Sequence, residues 1–367
     1  MPPPEFFTAM DMLSATTLWQ AALMLAGFIA FLMAGSKFLP GREVMLTDVD
    51  GKTRPCKLNG LSLFLLTFAV AGLAAYFGWF SLSALYTHFA ALFIVTNVFA
   101  FAFSVWLYWR GTGTEGAPAG FWRGYFFGRE RDPALFGVDL KMFSYRPSLI
   151  GLALLNVSFA VVQYQTYGGL TLAMTLYQIF TFAYIFNYFQ FENGMIYTWD
   201  IVSERFGWML VWGDYVLVPF FYCITGWWLV DATGPDLPPA AAAGLALLFV
   251  FGFWLFRGAN EQKHRFKQDS GVKIWGKPAE TLDGRLLVSG FWGIGRHLNY
   301  TGEICVYLAF TLTAAFASLT PLLLPAWLAT LLSHRCLRDE RRCRAKYGEL
   351  WERYTARARF AMLPFVY

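Results

Sequence analysis

The chain has 367 residues, of which 57% are hydrophobic and 14% charged, and its formal net charge is +5. Soluble domains carry about 25% charged residues, so this composition excludes an ordinary soluble protein and indicates an integral membrane protein. The C-terminal end carries a basic surplus as large as the net charge of the whole chain, because nine Lys and Arg between 335 and 359 accompany four carboxylates. We expect membrane lipids and a small polyanion as partners, and no nucleic acid.

Apolar runs of about 20 residues, the length that crosses a bilayer, recur along the chain. They lie at 17–36, 60–80, 85–109, 148–164, 168–190, 206–230, 238–256, 302–320 and 321–333. With a further broken segment at 286–300, the sequence predicts an all-α membrane protein with about ten transmembrane helices in one bundle. No polar stretch is long enough for a separate dinucleotide-binding domain, so any cofactor must bind to the helices.

Four polar connections separate these runs. Residues 39–59 predict a turn-rich linker with a hairpin turn at Asp50-Gly51, and residues 110–147 predict a segment on the membrane surface. The connection at 257–285 and the C-terminal stretch are both basic. The positive-inside rule therefore predicts that these two face the cytoplasm.

The C-terminal stretch has the spacing of a helix with one functional face. Arg335, Asp339, Cys343, Lys346 and Tyr347 recur at helical intervals. On such a face Arg and Lys would bind phosphate groups, and Asp339 would orient Arg335. The alternative is a tail of basic side chains that snorkel to the lipid surface.

Two further clusters are candidates for ligand binding. Residues 289–303 contain Trp292, Asn299 and Tyr300, which predict either an aromatic belt at the membrane interface or a stacking site for a planar heterocycle. Lys263 and Lys267 precede them in the third connection. Their charge is explained equally well by cytoplasmic topology and by a ligand.

Carboxylates close to or inside apolar runs are costly and therefore informative. Asp200 and Glu204 lie one turn apart just before a predicted span, and Asp214 lies within it. An isolated charge there costs roughly 2.5–3.5 kcal/mol. Asp214 is either hydrogen-bonded to a neighbouring helix or part of a proton relay or substrate contact. Tyr184 is a similar buried hydroxyl, for which simple helix packing is the alternative.

The chain has five Cys and four His, and neither residue type shows the spacing of a metal site. There is no CxxC, HxxH or HxxxH pattern. We therefore expect no metal, and the absence of His clusters argues against a di-iron membrane desaturase.

Motifs along nearly the whole chain resemble those of one family. They include LPGRE (39–43), GVDLKMF (137–143), TWDI (198–201), GDYVLVPF (213–220), RGANEQKHRFK (257–267), LLVSGFWGIGRHLNYTGE (286–303) and HRCLRDERRCRAKYGELWERY (334–354). The chain resembles the ergosterol-biosynthesis sterol reductases, which include C-14 sterol reductase, 7-dehydrocholesterol reductase and the lamin B receptor membrane domain.

This resemblance implies an NADPH-dependent reductase of a sterol ring double bond. It implies N-terminal membrane helices and a surface loop over 1–147, and a catalytic half with the NADPH and sterol pockets over 148–367. The implied cofactor contacts are Lys263, Lys267, Leu287, Trp292, Asn299, Tyr300, Arg335, Asp339, Cys343 and Tyr354. It also implies Tyr184 as the acid, with Asp200, Glu204 and Asp214 as relay members.

The resemblance does not decide which double bond of the sterol is reduced. TLYQIF (175–180), TWDIVSERFG (198–207) and the PFVY ending (364–367) resemble C-14 reductases, whereas SGFWG (289–293) and HRCLRDE (334–340) resemble 7-dehydrocholesterol reductase. We favour reduction of the C14=C15 bond over the Δ7 bond or a sterol-binding role without catalysis. A sterol would enter from the bilayer and NADPH from the cytoplasm, in a bacterial inner membrane or the endoplasmic reticulum.

Overall fold

The computed structural model describes residues 13–315 and 318–363, and most of them are helical. The chain divides into two units, Met1–Gly234 and Pro235–Tyr367. The division that the sequence predicted, at 147/148, lies inside one continuous helix, Leu140–Tyr167. How function is divided along the chain stays a prediction. The motif at 364–367 and part of the predicted span 302–320 lie outside the described residues.

The first unit contains ten α-helices in its described part. They are α1 (Ala15–Phe38), α2 (Gly60–Tyr76), α3 (Ala84–Thr87), α4 (Phe89–Arg110), α5 (Phe121–Phe127), α6 (Leu140–Tyr167), α7 (Leu172–Gln190), α8 (Trp199–Val202), α9 (Trp208–Trp212) and α10 (Ile224–Leu229). A 3₁₀ segment covers Glu192–Tyr197, and a π-helical segment, Gly213–Phe221, joins α9 to α10. That segment contains Pro219, which lacks the N–H needed for regular α-helical hydrogen bonding.

The second unit contains helices and short strands in its described part. The helices are α11 (Pro239–Gln268), α12 (Phe291–Ile294), α13 (Leu298–Thr311), α14 (Leu323–Tyr347) and α15 (Glu349–Arg357). Two antiparallel pairs lie between α11 and α12: β5 (Lys273–Ile274) with β6 (Lys277–Pro278), and β7 (Thr281–Leu282) with β8 (Leu286–Leu287).

In the described part of the chain, five helical segments are long and apolar enough to cross a membrane. They are Ala15–Phe38, Phe89–Arg110, Leu140–Tyr167, Trp208–Leu229 and Pro239–Gln268, and Gly60–Tyr76 is a shorter apolar helix. Helices α7, α13 and α14 cover other predicted spans. The mainly helical membrane architecture is thus confirmed, while the count of about ten spans stays a prediction.

The hairpin predicted between the first two spans is confirmed. Strand β1 (Arg42–Thr47) pairs antiparallel with β2 (Thr53–Leu58). The turn requires a left-handed backbone at Gly51, whose φ is +81°. A second, shorter pair, β3 (Ala134–Leu135) with β4 (Val138–Asp139), precedes α6. The protein therefore contains short strand pairs that the all-α prediction did not include, but it remains mainly helical.

A buried ionic cluster ties the first unit together. The Arg146 guanidinium on α6 donates from Nη2 to Glu192 Oε1 over 2.8 Å, and both side chains are at most 6% exposed. Tyr145 also donates to Glu192. The other oxygen, Oε2, accepts from the backbone N–H of Gly60 over 2.8 Å, at the start of α2. This one carboxylate therefore links α2, α6 and the segment after α7.

Two facing glycines let α11 and α13 approach closely in the second unit. A Cβ on Gly302 would lie 2.4 Å from the backbone nitrogen of Phe256 and 2.7 Å from the Gly252 carbonyl oxygen. Small residues of this kind permit backbone contact between membrane helices. The contact fixes α11 beside α13, and with them the side chains described next.

Candidate functional site

Most of the predicted ligand-binding residues come from separate elements of the second unit. Lys263 and Lys267 lie on α11, Leu287 on β8, Trp292 on α12, Asn299 and Tyr300 on α13, Arg335, Asp339 and Cys343 on α14, and Tyr354 on α15. The basic C-terminal stretch continues the apolar start of α14 without a break. Helix α14 therefore extends beyond the predicted span 321–333 and ends at Tyr347.

Trp292 is the centre of the first group of contacts. Its indole Nε1 donates to the Ala259 carbonyl over 2.8 Å, and the Tyr354 hydroxyl donates to the Trp292 carbonyl over 3.2 Å. The Lys263 ammonium lies 4.4 Å from the centre of the indole ring, a cation–π distance. Leu287 packs in the same buried cluster as Trp292. Four predicted residues from four elements therefore meet here.

Tyr300 and Asp339 form a second group. The Tyr300 hydroxyl donates to Asp339 Oδ2 over 3.0 Å, which joins α13 to α14. Arg335 lies close enough to Tyr300 to interact with it electrostatically. Asn299, which directly precedes Tyr300, donates from Nδ2 to Asn260 Oδ1 on α11 over 3.2 Å.

The two groups share an excess of positive charge. The Lys263 ammonium interacts electrostatically with Lys267 and Arg342, which oppose its charge, and with Asp339, which favours it. Lys267 in turn is opposed by Lys346. Because like charges held together are unfavourable, a bound anion would relieve them. This arrangement favours the polyanion pocket over a lipid-facing basic tail.

Arg296 and His297 lie within the motif at 286–303 but were not among the predicted site residues, and neither was their partner Glu340. Arg296 Nε donates to Glu340 Oε1 over 2.6 Å, and His297 Nε2 lies 3.3 Å from the same oxygen. The His297 ring also stacks on Tyr300 at 5.1 Å. Burial alone would raise the pKa of Glu340, but the contacts with His297 and Arg296 outweigh it and hold this pKa below its ordinary value.

The same network fixes the C-terminal segment. Arg296 Nη1 donates to the carbonyls of Ala358 and Arg359 over 2.6 and 3.0 Å. The backbone N–H groups of Arg296 and His297 donate to the carbonyls of Phe360 and Ala361. One arginine therefore ties α14 and the residues after α15 to the start of α13.

His297, Cys336 and Glu340 place three possible metal ligand atoms within 4.8 Å of one another. However, the Glu340 carboxylate is already compensated by Arg296 over 2.6 Å. A nearby guanidinium opposes binding of a cation, so the geometry fits a hydrogen-bond network better than a metal centre. The expectation of no metal stays a prediction.

The predicted acid and relay residues lie in the first unit. Tyr184 on α7 is 5% exposed and donates to the Tyr188 hydroxyl over 3.3 Å. Glu204 Oε1 accepts from the Trp199 indole over 2.7 Å. Asp200 on α8 interacts electrostatically with Asp214 in the π-helical segment. The structure thus brings two of the carboxylates together, while the catalytic role of all four residues stays a prediction.

Lys141 fixes the segment that contains Asp200 and Glu204. Its ammonium donates to the carbonyls of Ile201 and Glu204 over 2.6 and 2.8 Å, and lies 3.2 Å from Asp132. Sequence reasoning missed this lysine. A single Lys in the GVDLKMF motif, at the start of an apolar helix, was the available signal.

Comparison with known proteins assigns the family. The sequence model of the Ergosterol biosynthesis ERG4/ERG24 family matches residues 5–367. The chain belongs to this family. Among its ERG4/ERG24 relatives, the Delta(14)-sterol reductase of Methylotuvimicrobium alcaliphilum is 37% identical over 95% of this chain and 84% of the relative.

Two further relatives show that both reductase names occur among similar proteins. The Delta(14)-sterol reductase of Arabidopsis thaliana is 36% identical over 95% of this chain and 96% of the relative. The 7-dehydrocholesterol reductase of Danio rerio is 34% identical over 90% of this chain and 74% of the relative. The family predicted from the motifs is thereby confirmed.

Proposed function

We propose that this protein is an NADPH-dependent sterol reductase of the membrane that reduces a C14=C15 double bond. Membership of the ERG4/ERG24 family and the similarity to proteins named Delta(14)-sterol reductase support a sterol reductase. Five helices suited to a membrane support a substrate that arrives from the bilayer. The basic connections support a cytoplasmic cofactor side.

The observation that carries the proposal is the convergence of aromatic rings and cations in the second unit. Lys263 above the Trp292 ring, beside Lys267, combines a flat surface with positive charge. Among residues 13–315 and 318–363, the neighbouring buried atoms Asn299 Oδ1 and Trp351 Nε1 have no protein hydrogen-bond partner. Buried polar atoms normally require hydrogen bonds, so these atoms fit contacts with a polar ligand.

The charged and the aromatic residues of this site would bind different parts of the cofactor. Lys263, Lys267 and Arg335 would hold phosphate groups through charge-assisted contacts. Trp292 and Tyr300 would pack against planar rings. When bound, NADPH supplies the hydride that the ring carbon must receive.

The proton has to come from the protein. Tyr184 is the first candidate, and a relay through Asp200, Glu204 or Asp214 is the second. A proton added to one alkene carbon leaves a carbocation at the other, and the hydride then completes the saturated bond. A dry apolar environment favours this step, because water would otherwise compete for the cation.

Product analysis with paired substrates tests this function. Purified protein in detergent, supplied with NADPH and a Δ8,14 sterol, should yield the Δ8 product by mass spectrometry. A Δ7 sterol supplied in parallel should remain largely unchanged. Consumption of the Δ7 sterol alone would favour 7-dehydrocholesterol reductase activity, which the similarity to the Danio rerio protein makes the second candidate.

Turnover of neither sterol would refute the enzymatic proposal. Sterol binding measured in the same samples would then favour a family member that binds sterols without reducing them. NADPH binding should be measured alongside, since its loss would identify a defective cofactor pocket.

A further inference from the structure

We propose that the first unit contains a binding pocket for the phosphate headgroup of an anionic glycerophospholipid, separate from the proposed reductase function. A polar cavity of about 250 Å³ lies between the end of α1, the β1–β2 hairpin and the β3–β4 turn. Its walls include three cationic side chains, Lys37, Lys57 and Arg146.

The cavity lies where membrane-spanning helices end. Lys37 is in the last turn of α1, and Lys57 is in β2, just before α2 begins. Asp139 caps the N-terminus of α6 by accepting from the Met142 N–H over 2.9 Å. Because α1 and α6 are both long and apolar enough to span the hydrocarbon, we place the cavity between their ends at the level of lipid phosphates.

Two of the charged walls are already compensated. Arg146 is 3% exposed and donates to Glu192, Ser36 Oγ and the Lys57 carbonyl. Asp139 accepts from Arg54 Nε over 2.6 Å. Neither residue needs a further partner, so the positive charge available to a ligand comes from Lys37 and Lys57.

The two lysines retain free donors. Lys57 Nζ donates once, to the Lys37 carbonyl over 2.8 Å, and the Lys37 ammonium lies 5.5 and 5.9 Å from the rings of Phe38 and Phe136. Over residues 13–315 and 318–363, neither lysine forms an ion pair with a carboxylate. Each ammonium has three N–H donors, so both can bind phosphate oxygens.

Phe136 is an independent sign that the rim meets lipid. Its φ of +53° is set by the two-residue turn that joins β3 to β4, and the residue is 68% exposed. Phe38 beside it is 76% exposed. Exposed aromatic rings next to lysines are typical of the membrane interface, where the rings contact the glycerol and upper acyl region.

Glu43 gives the proposal a sharp test. It lines the cavity and lies directly opposite Lys57 in the β1–β2 register. In the described part of the chain it forms no ion pair, so its negative charge opposes a bound anion. Glu43→Gln should therefore strengthen lipid binding, an effect that misfolding cannot produce.

The experiment titrates the full chain in detergent with phosphatidylglycerol and counts bound lipids by native mass spectrometry. Phosphatidylcholine and inorganic phosphate form separate arms. The double variant Lys37→Gln/Lys57→Gln should weaken phosphatidylglycerol binding by at least about tenfold, as expected for lost charge-assisted contacts. The control Lys52→Gln removes one positive charge from the exposed turn of the same hairpin and should bind like wild type.

Each result decides the proposal. Weaker binding in the double variant, tighter binding in Glu43→Gln and no change in Lys52→Gln would support it. Equal binding of phosphatidylcholine, or equal losses in the double variant and the control, would overturn it. Saturation of the site by inorganic phosphate at the same concentration would show a free-phosphate site and overturn the lipid assignment. Sterol turnover is not measured here, so the result of this test does not depend on whether the reductase function is correct.

Discussion

Replacing Arg296 with Met should destabilise the second unit more than removal of an exposed arginine from the same unit. The pair Arg296–Glu340 is 2.6 Å long, with side chains 11% and 18% exposed. The substitution would leave that carboxylate and the carbonyl of Ala358 without their donor. Breaking a fully buried pair costs about 3–5 kcal/mol, and each unmet buried group about 1–3 kcal/mol. Since this pair is not fully buried, we expect a loss of about 2–3 kcal/mol.

Denaturant unfolding in detergent micelles measures this loss. Arg353→Met is the matched control, because Arg353 pairs with Asp283 over 3.1 Å while both side chains are more than half exposed. Surface pairs of that kind contribute about 0–1 kcal/mol. Equal losses in Arg296→Met and Arg353→Met, or a loss below about 0.5 kcal/mol in Arg296→Met, would refute the reasoning. The double variant with Glu340→Gln should cost less than the sum of the single changes, because both remove one interaction.

Three further predictions concern pH, cofactor and proton transfer. The pKa of Glu340 is lowered on folding, so its stabilisation is present above its ordinary pKa and is lost as the pH falls through the lowered value. Unfolding measured against pH should show this acid-side loss in wild type and a flatter profile in Glu340→Gln. Arg335→Ala should weaken NADPH binding about ten- to a hundredfold, measured by fluorescence titration, whereas Lys263→Ala and Lys267→Ala should reduce the preference for NADPH over NADH. Tyr184→Phe should keep NADPH affinity and lower the single-turnover rate, and an unchanged rate would move the acid role to a carboxylate.

The sequence predicted the long apolar helices well because hydrocarbon demands a continuous apolar run. The ends of helices α1 and α4 lie one to four residues from their predicted bounds. The start of α6 was missed, because Lys141, Arg146 and Pro147 read as a polar surface segment. The structure buries both cations with carboxylate partners outside α6, namely Asp132 before the helix and Glu192, which lies 46 positions from Arg146. Hydropathy along the chain cannot reveal such compensation.

The same limit explains which site residues could be found. Trp292, Asn299 and Tyr300 stand within nine positions of one another, and Lys263 and Lys267 lie one helical turn apart, so local spacing was enough to select them. Glu340 lies 44 positions from Arg296, on a helix where it reads as one more charge among many. Its role depends on which face of α14 meets α13, and that is decided by packing.

The neighbouring acids on α14 have different tasks for a geometric reason. Adjacent residues on a helix point about 100° apart, so Asp339 and Glu340 reach different partners. Asp339 accepts from Tyr300, whose hydroxyl belongs to the cluster of predicted cofactor residues, while Glu340 accepts from Arg296, which holds the C-terminal segment. Exchanging the two acids would conserve charge and composition yet should break both contacts. The order of these two residues, which composition and net charge do not record, therefore determines how α14 is joined to α13.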